Sequence, residues 1–401
     1  MKVSIIARTV EVGSTNTGTS VDLDFKKIAG KTAGICYMPE DYLDNAIQNE
    51  EKALARADMT AKSGHHSVYD HASLTISISG IPKILAMLLN STNYYVTSEK
   101  SARYTVMRPE TNTELALYEK WIGKFKEIIS TTYPKIDAKT VNKLAQENAR
   151  YMTSVFTPTT MAYTVSQRQL SYIIGWLFDL NVALANHSNL FNDKLMVSVR
   201  ELHSELWGLF ATPVKDNKGR EFDFIPCQYG HKKVLPENHI GNTYSVSYKG
   251  TFAQLAQAQR HRTLSYTMWF KGDTADELGF YVPEIIKGTE YEAEWLADIK
   301  SVAYCFPQGT LVMITEEGLA KHFFLKCKER LCGRAQLEIA LQTAETLRKF
   351  IANEFNLSKL NQDTLRAIAP NDTPVAKCGM AGFTCTEVCM WGAKDWHNRK
   401  I

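Results

Sequence analysis

One layout occurs twice in this chain, and it restricts what the chain can fold into. Leu74, Ile76 and Ile78 alternate with Ser and Thr, which predicts a half-buried strand over Ser73–Ser79. Gly80 follows, and an apolar helix is predicted over Ile81–Asn90. Tyr244, Val246 and Tyr248 alternate in the same way; Gly250 follows, and Phe252, Leu255 and Ala256 lie at helical spacing. Aligned from the two glycines with a one-residue gap after them, Ser91, Thr92 and Asn93 fall opposite Arg260, His261 and Arg262. The chain therefore reads as a diverged internal repeat in which a dense cationic cluster survives in one copy. The expected class is α+β: two tandem repeats, each a small, mostly antiparallel sheet packed with helices. The first repeat is placed at 1–215 and the second at 223–355, with a Cys-containing tail at 356–401. The polar, turn-forming stretch 213–222 is the expected linker.

The remaining pattern fills in around this frame. Met1–Arg8 reads as a first strand, followed by a polar loop rich in Gly, Ser and Thr and a charged helix around Leu43–Met59. Glu119–Ile129 is an amphipathic helix with Tyr118, Trp121, Ile122, Phe125, Ile128 and Ile129 on one face, which suits a core. Met161–Ser166 reads as β-rich, and Ile173–Ala185 and Leu195–Phe210 as helices. Lys271–Glu277 reads as a loop, Thr310–Thr315 as a strand, and Cys327–Ile351 as one long helical region.

Composition narrows the function classes. With 44 % apolar and 22 % charged residues, the 401-residue chain is that of an ordinary globular protein. A net charge of +3 gives no argument for nucleic acid and is compatible with anionic ligands. No apolar run approaches the length of a membrane helix, and the N-terminus lacks the apolar core of a signal peptide. Eight cysteines without an export signal predict reduced thiols and a cytoplasmic location. His65, His66 and His71 lie close together, but Asp70 alone is a weak carboxylate complement, and no metal is expected there. Cys227, Cys378, Cys385 and Cys389 could supply four thiolates, although their spacing matches no standard ribbon. Reduced, buried cysteines are the expectation.

Gln257-Ala258-Gln259-Arg260-His261-Arg262-Thr263-Leu264-Ser265 resembles the signature of the flavin-dependent thymidylate synthases (the ThyX family): Arg-His-Arg, two residues, then Ser, with Gln three residues ahead. The family's signature continues into a Glu/Gln–x–Ser–x–Arg–Tyr ending. Met268, Phe270 and Gly272 stand there in this copy, whereas Glu99, Ser101, Arg103 and Tyr104 match it in the other. Gly64-His65 and Asp70-His71 look like the family's Gly-His and Glu-His pairs. Ala149-Arg150 and Thr164-Val165-Ser166-Gln167-Arg168 resemble two further motifs, and Ala303 is the second-repeat counterpart of Arg150. Arg330, ahead of Ala335-Gln336-Leu337-Glu338-Ile339, resembles the family's nucleotide-binding Arg, and its first-repeat counterpart is near Leu177.

The resemblance implies an FAD-dependent methyltransferase that converts dUMP to dTMP with methylenetetrahydrofolate and NADPH. Arg260, His261, Arg262 and Ser265 would contact the flavin. Gln257 and Arg330 would hold the base, and Arg103, Arg150 and Ser101 the phosphate. Glu99 would orient the nucleotide, and His65 would line the folate and flavin side. Arg330, Ser101, Glu99 and His65 form the implied catalytic set. Two alternatives stay open: a related flavin-dependent C5 modification, such as hydroxymethylation of another pyrimidine nucleotide, and a non-catalytic nucleotide- or RNA-binding homologue. Because the halves lose complementary parts, the family's tetramer would become a homodimer of this double-length chain.

Overall fold

The structure, a computed structural model, describes residues 1–11, 21–91, 94–210, 238–270, 272, 275–383, 385 and 389–401. In the first part of the chain these form β1 (Lys2–Arg8), α1 (Val21–Tyr37), α2 (Leu43–Gln48), α3 (Glu50–Lys62), β2 (Ser73–Pro82), α4 (Lys83–Leu89) and β3 (Val96–Glu99). Then come α5 (Asn112–Thr132), α6 (Ala138–Ala149), β4 (Pro158–Ser166), α7 (Gln167–Asn186) and α8 (Leu190–Leu209). The second part holds β5 (Thr243–Thr251), α9 (Phe252–Ala258), β6 (Ser265–Trp269), α10 (Tyr291–Ser301), β7 (Leu311–Leu319) and α11 (Ala320–Arg330). It ends in α12 (Leu337–Ala352), α13 (Lys359–Ile368) and α14 (Gly392–Asp395). The expected α+β class holds, with two small antiparallel sheets among helices.

One sheet has the order β1-β2-β4-β3 and the other β5-β7-β6. Their registers run in parallel. Ile78 faces Met161, and Met161 faces Glu99, across the first sheet. Tyr248 faces Ile314, and Ile314 faces Met268, across the second. The rung that carries Glu99 in one sheet thus carries Met268 in the other. A 3₁₀ turn precedes the middle strand each time, Arg150–Met152 before β4 and Ala303–Cys305 before β7. A helix follows that strand directly, with Leu177 and Arg330 at matching places in it.

The chain divides into two compact units that cut across the sequential boundaries. One comprises residues 1–100 and the chain from Pro158 through α8. The other comprises Ser101–Thr157 and the chain from residue 238 onward. α5 and α6 thus belong to the second unit. The cause is the aromatic face of α5: Tyr118, Trp121, Phe125 and Ile129 are fully buried, in one core with Trp295 and Ile299 of α10. Trp121 meets Trp295 edge-on at 4.8 Å, and its indole N–H donates to Asp298 at 2.8 Å. Thr111 and Glu114 close a capping box at the start of α5. The boundary 215/223, the linker 213–222, Cys227, Thr92 and Asn93 lie outside the described residues.

Three expectations need correction. The polar loop after β1 gives way to a helix, α1, whose Phe25, Ala29 and Ala33 are buried four residues apart. Gly30 makes this possible: a Cβ there would lie 1.8 Å from the Ala53 carbonyl oxygen on α3. The helix expected around Leu43–Met59 is two helices, because the Asn49 side chain caps α3 by accepting from the Lys52 N–H at 3.0 Å. Likewise Cys327–Ile351 is two helices, broken at Leu331–Gln336.

Candidate active site

The candidate residues in the second unit form three connected contacts. Thr251 ends β5 and caps α9, accepting from the Gln254 N–H at 3.0 Å. The short helix α9 then delivers Gln257, only 8 % exposed, and a turn presents Arg260, His261 and Arg262. Arg260 and Arg262 are exposed, and His261 is half-buried. From the C-terminal end of α11, the Arg330 Nε–H donates to His261 Nε2 at 2.6 Å, and its Nη2 donates to the Gln257 carbonyl at 3.2 Å. A guanidinium only donates, so His261 Nε2 carries no proton. Burial, then the cations of Arg330 and Lys326, hold the His261 pKa down at about 2. Burial and the nearby Arg260, with Arg103 adding to it, lower the Arg330 pKa to about 10.

The second contact is Gln336, in the loop between α11 and α12. Its carbonyl oxygen accepts from both Gln257 Nε2 and Arg150 Nη2, and its own amide donates to the Tyr151 hydroxyl. Tyr151 donates in turn to Glu338 at 2.8 Å, which also accepts from the Thr251 N–H at 3.0 Å and hydroxyl at 2.9 Å. Burial raises the Glu338 pKa against these hydrogen bonds. Two polar atoms of this network lack a partner: Arg150 Nε and Gln257 Oε1. Arg150 is 5 % exposed. A buried donor or acceptor without a partner costs about 1–3 kcal/mol, which a ligand carrying the complementary groups would recover.

The third contact is Arg103. It forms an ion pair with Glu147 through Nε and donates to the Arg334 carbonyl at 2.8 Å. Burial opposes its charge, but Glu147 outweighs burial and the pKa lies above the ordinary arginine value. Arg103 lines a cleft of 270 Å³ with Tyr104, Lys143, Glu147, Arg334 and Trp391. Ser101 sits at the turn before it, and its hydroxyl accepts from the Arg103 N–H at 3.3 Å. Ser265 begins β6. Met268 and Phe270 are core residues, Phe270 standing edge-on to Phe252 at 5.4 Å.

The other two candidates lie in the first unit. Glu99 ends β3 and forms an ion pair with Lys83 of α4, its side chain 6 % exposed. His65 is exposed in the turn after α3. Asp70 accepts from the Ser166 hydroxyl at 2.7 Å and Arg168 at 3.0 Å, so this carboxylate anchors the start of α7. Among the described residues no three His, Cys, Asp or Glu side chains stand in metal-ligating geometry.

Sequence reasoning gave no role to Gln336, Glu338, Tyr151 or Glu147. The signal for the first two was present, because Gln336 and Glu338 belong to the segment that resembles a family motif. Tyr151 and Glu147 flank the Arg150 turn without a pattern of their own.

Residues 21–190 match the family described as "Thy1: Thymidylate synthase complementing protein". The flavin-dependent thymidylate synthase of Pyrococcus furiosus is 28 % identical over 124 residues, 28 % of this chain and 49 % of that protein. The Pyrococcus abyssi enzyme of the same name is 25 % identical over 138 residues, 32 % and 55 % of the two chains. The chain thus spans about half the length of the curated relatives it matches. A solved structure of Helicobacter pylori ThyX, complexed with FAD and dUMP, is similar at a TM-score of 0.31 and 16 % identity, over 52 % of this chain and 94 % of that one. A Streptomyces cacaoi UMP/dUMP methylase bound with 5-Br dUMP is similar at a TM-score of 0.29 and 14 % identity, over 43 % and 76 %. Residues 21–190 are thus similar to the thymidylate synthase complementing protein family, and part of the chain is similar to two archaeal flavin-dependent thymidylate synthases.

Proposed function

We propose that the chain binds FAD and methylates dUMP at C5 to give dTMP, with methylenetetrahydrofolate as carbon donor and NADPH as reductant. The observation that carries this reading is the convergence of Gln257, Arg150, His261 and Arg330 on one network with an acceptor and a donor left over. A uracil ring presents an N–H between two carbonyl oxygens. Gln257 Oε1 would accept that N–H, and Arg330 would donate to a carbonyl, favouring the charge that builds as C5 attacks. Arg150 Nε and Arg103 would donate to phosphate oxygens, with Ser101 as hydroxyl donor. Glu99, held by Lys83, and His65 belong to the other unit, and their roles rest on the resemblance alone.

The residues around α9 fit an anionic flavin edge. The exposed guanidinium groups of Arg260 and Arg262 and the hydroxyl of Ser265 offer cations and a donor. His261, neutral because Arg330 donates to its Nε2, offers a protonated Nδ1. When bound, FAD supplies the redox chemistry of the transfer. This chain's residues bind, orient and stabilise charge.

The matching registers of the two sheets support a tandem duplication with divided labour. Arg103 and Arg150 come from the first repeat, and Gln257, Arg330 and Gln336 from the second. They share one compact unit. This favours a composite site within one chain, and the resemblance implies one tight FAD per chain and a homodimer as the assembly.

Flavin absorbance retained after incubation with FAD and desalting tests the cofactor; a colourless protein would sink the enzyme reading. Mass spectrometry of products from dUMP, UMP and dCMP tests the substrate, and a hydroxymethyl product would replace methylation. Arg330→Ala is expected to weaken dUMP binding by about 1.5–3 kcal/mol, roughly 10- to 150-fold. Calorimetric titration measures it, and unchanged affinity would mean a misassigned pocket. Mixing Arg260→Ala with Arg103→Ala protein should leave both inactive. Regained activity would put the site across chains.

A further inference from the structure

The hydrogen bonds that hold Gln257 run in one direction, and that direction is fixed at both ends. Glu338 stands at one end, in the first turn of α12. Its Oε1 accepts from the Thr251 N–H at 3.0 Å, and its Oε2 from the Thr251 hydroxyl at 2.9 Å. The Thr251 oxygen itself accepts from the Gln254 N–H at 3.0 Å, so its own proton goes to Glu338. These donors favour the ionised carboxylate, which only accepts. Tyr151 therefore donates to it at 2.8 Å, and the Tyr151 oxygen is left to accept. The atom of Gln336 that faces Tyr151 is accordingly its amide nitrogen. Arg150 stands at the other end. A guanidinium only donates, so the atom of Gln336 that faces Arg150 Nη2 is the carbonyl oxygen. Two independent constraints give the Gln336 amide the same orientation.

Gln257 inherits that orientation. Facing the Gln336 oxygen it presents Nε2, and its own Oε1 is turned away from Gln336. That oxygen is buried and without a partner, on a residue only 8 % exposed. The main chain on both sides is held. Arg330 donates to the Gln257 carbonyl at 3.2 Å, and Arg399 donates to the carbonyl of Ala335, next to Gln336, at 2.6 Å. All of these residues belong to one compact unit. Gln257 thus offers a fixed acceptor, and it could offer a donor there only by breaking its bond to Gln336.

We propose, on the footing of the base contact proposed for Gln257 above, that Glu338 and Gln336 are positioning residues that set base specificity. Through Tyr151 they hold Gln257 with its oxygen toward the nucleotide, so the site takes uracil and rejects cytosine. Uracil carries an N–H at ring position 3, which meets that oxygen. Cytosine carries a bare nitrogen acceptor there, and two acceptors out of water would face each other. Leaving a buried acceptor unpaired weakens binding about 5- to 150-fold. Glu338 and Gln336 do not touch the base; each acts through Gln257.

The test is calorimetric titration of the full chain with dUMP and with dCMP. Wild-type protein should bind dUMP at least about fivefold tighter. Glu338→Gln keeps the shape but puts an amide nitrogen opposite Tyr151, which sets the direction of the bonds against Arg150. Gln336→Leu removes the atom that orients Gln257. In each variant the preference for dUMP should fall at least about fivefold. Either variant alone decides if the other fails to fold. Gln336→Glu, whose carboxylate still accepts from Gln257 and Arg150, should keep the preference. A purely structural role would weaken both nucleotides alike and leave their ratio unchanged, and that result would overturn the proposal. So would equal binding of dUMP and dCMP by wild-type protein, which leaves the proposed nucleotide site standing. Binding of neither nucleotide by wild-type protein would overturn the proposed function, and this specificity with it.

Discussion

The two sheets share strand order and register but bury different things. In β2-β4-β3 the central rungs place Leu74, Ile76 and Ile78 beside Tyr163 and Met161, with Ile173 on the following helix; all are buried. In β5-β7-β6 the matching places hold Tyr244 and Tyr248, Glu316 and Ile314, and Lys326. Glu316 and Lys326 form a fully buried ion pair, and Tyr244 at 2.7 Å and Tyr248 at 3.2 Å donate to the same carboxylate. One backbone plan thus tolerates an apolar interior or a polar one, provided that every buried polar atom finds a partner. The candidate site lies with the polar sheet: Lys326 is one turn from Arg330 and acts on His261. A lattice of fixed charges is a reasonable support for a site that must hold anions.

The largest effect should come from breaking that lattice. Lys326→Met leaves the Glu316 charge buried and alone, and should cost about 3–5 kcal/mol. Adding Glu316→Gln should recover most of it. Denaturant titration of both variants is the measurement; an equal loss in the double variant would mean that the pair matters through packing alone.

Gly80 and Gly250, one in each sheet, should respond unequally. A Cβ at Gly250 would meet Gln254 Oε1 at 2.2 Å and Ile314 Cδ1 at 2.8 Å, so Gly250→Ala should cost about 1–3 kcal/mol through overpacking. Gly80 sits at a bulge in β2 with φ of +77°, and its Cβ would have room, the nearest atom being 3.6 Å away. There the cost of Ala is backbone strain alone, about 1 kcal/mol. Equal costs would remove the distinction between a glycine kept for space and one kept for conformation.

The smallest effect concerns pH. The folded pKa of His261, about 2, lies below its unfolded value near 6.5. Between these values the unfolded chain binds the extra proton, so the contribution is complete above about pH 6.5 and is lost as pH falls below it. The slope is at most about 1.4 kcal/mol per pH unit, and partial exposure reduces it. Hydrogen exchange at pH 7.5 and 5.5 should show protection falling in the second unit, and His261→Asn should flatten that change. A loss confined to the first unit would break the comparison.

Much of this arrangement was legible beforehand. Alternation marked β2 and β5, the stretches that became β4 and β7 were read as β-rich and as a strand, and the α5 aromatic face was identified as core. The alignment of Met268 with Glu99, and of Ala303 with Arg150, rested on motif order, and the sheet registers follow the same pairing. α1 was missed because its buried residues are mostly alanines, which give little hydrophobic contrast. The break at Leu331–Gln336 was missed because the apolar positions on either side continue a helical period.

The sequence alone determined which residues carry charge and which strands alternate. These are local properties, written in side-chain identity and spacing. Only the tertiary structure decided that α5 and α6 join the second unit, and that Arg150 and Gln257 meet at Gln336. Amphipathic patterning states which face of an element must leave water but not which partner will cover it. That choice was made by Trp121 finding Trp295, and the Arg150 turn follows the end of α6 into the same unit.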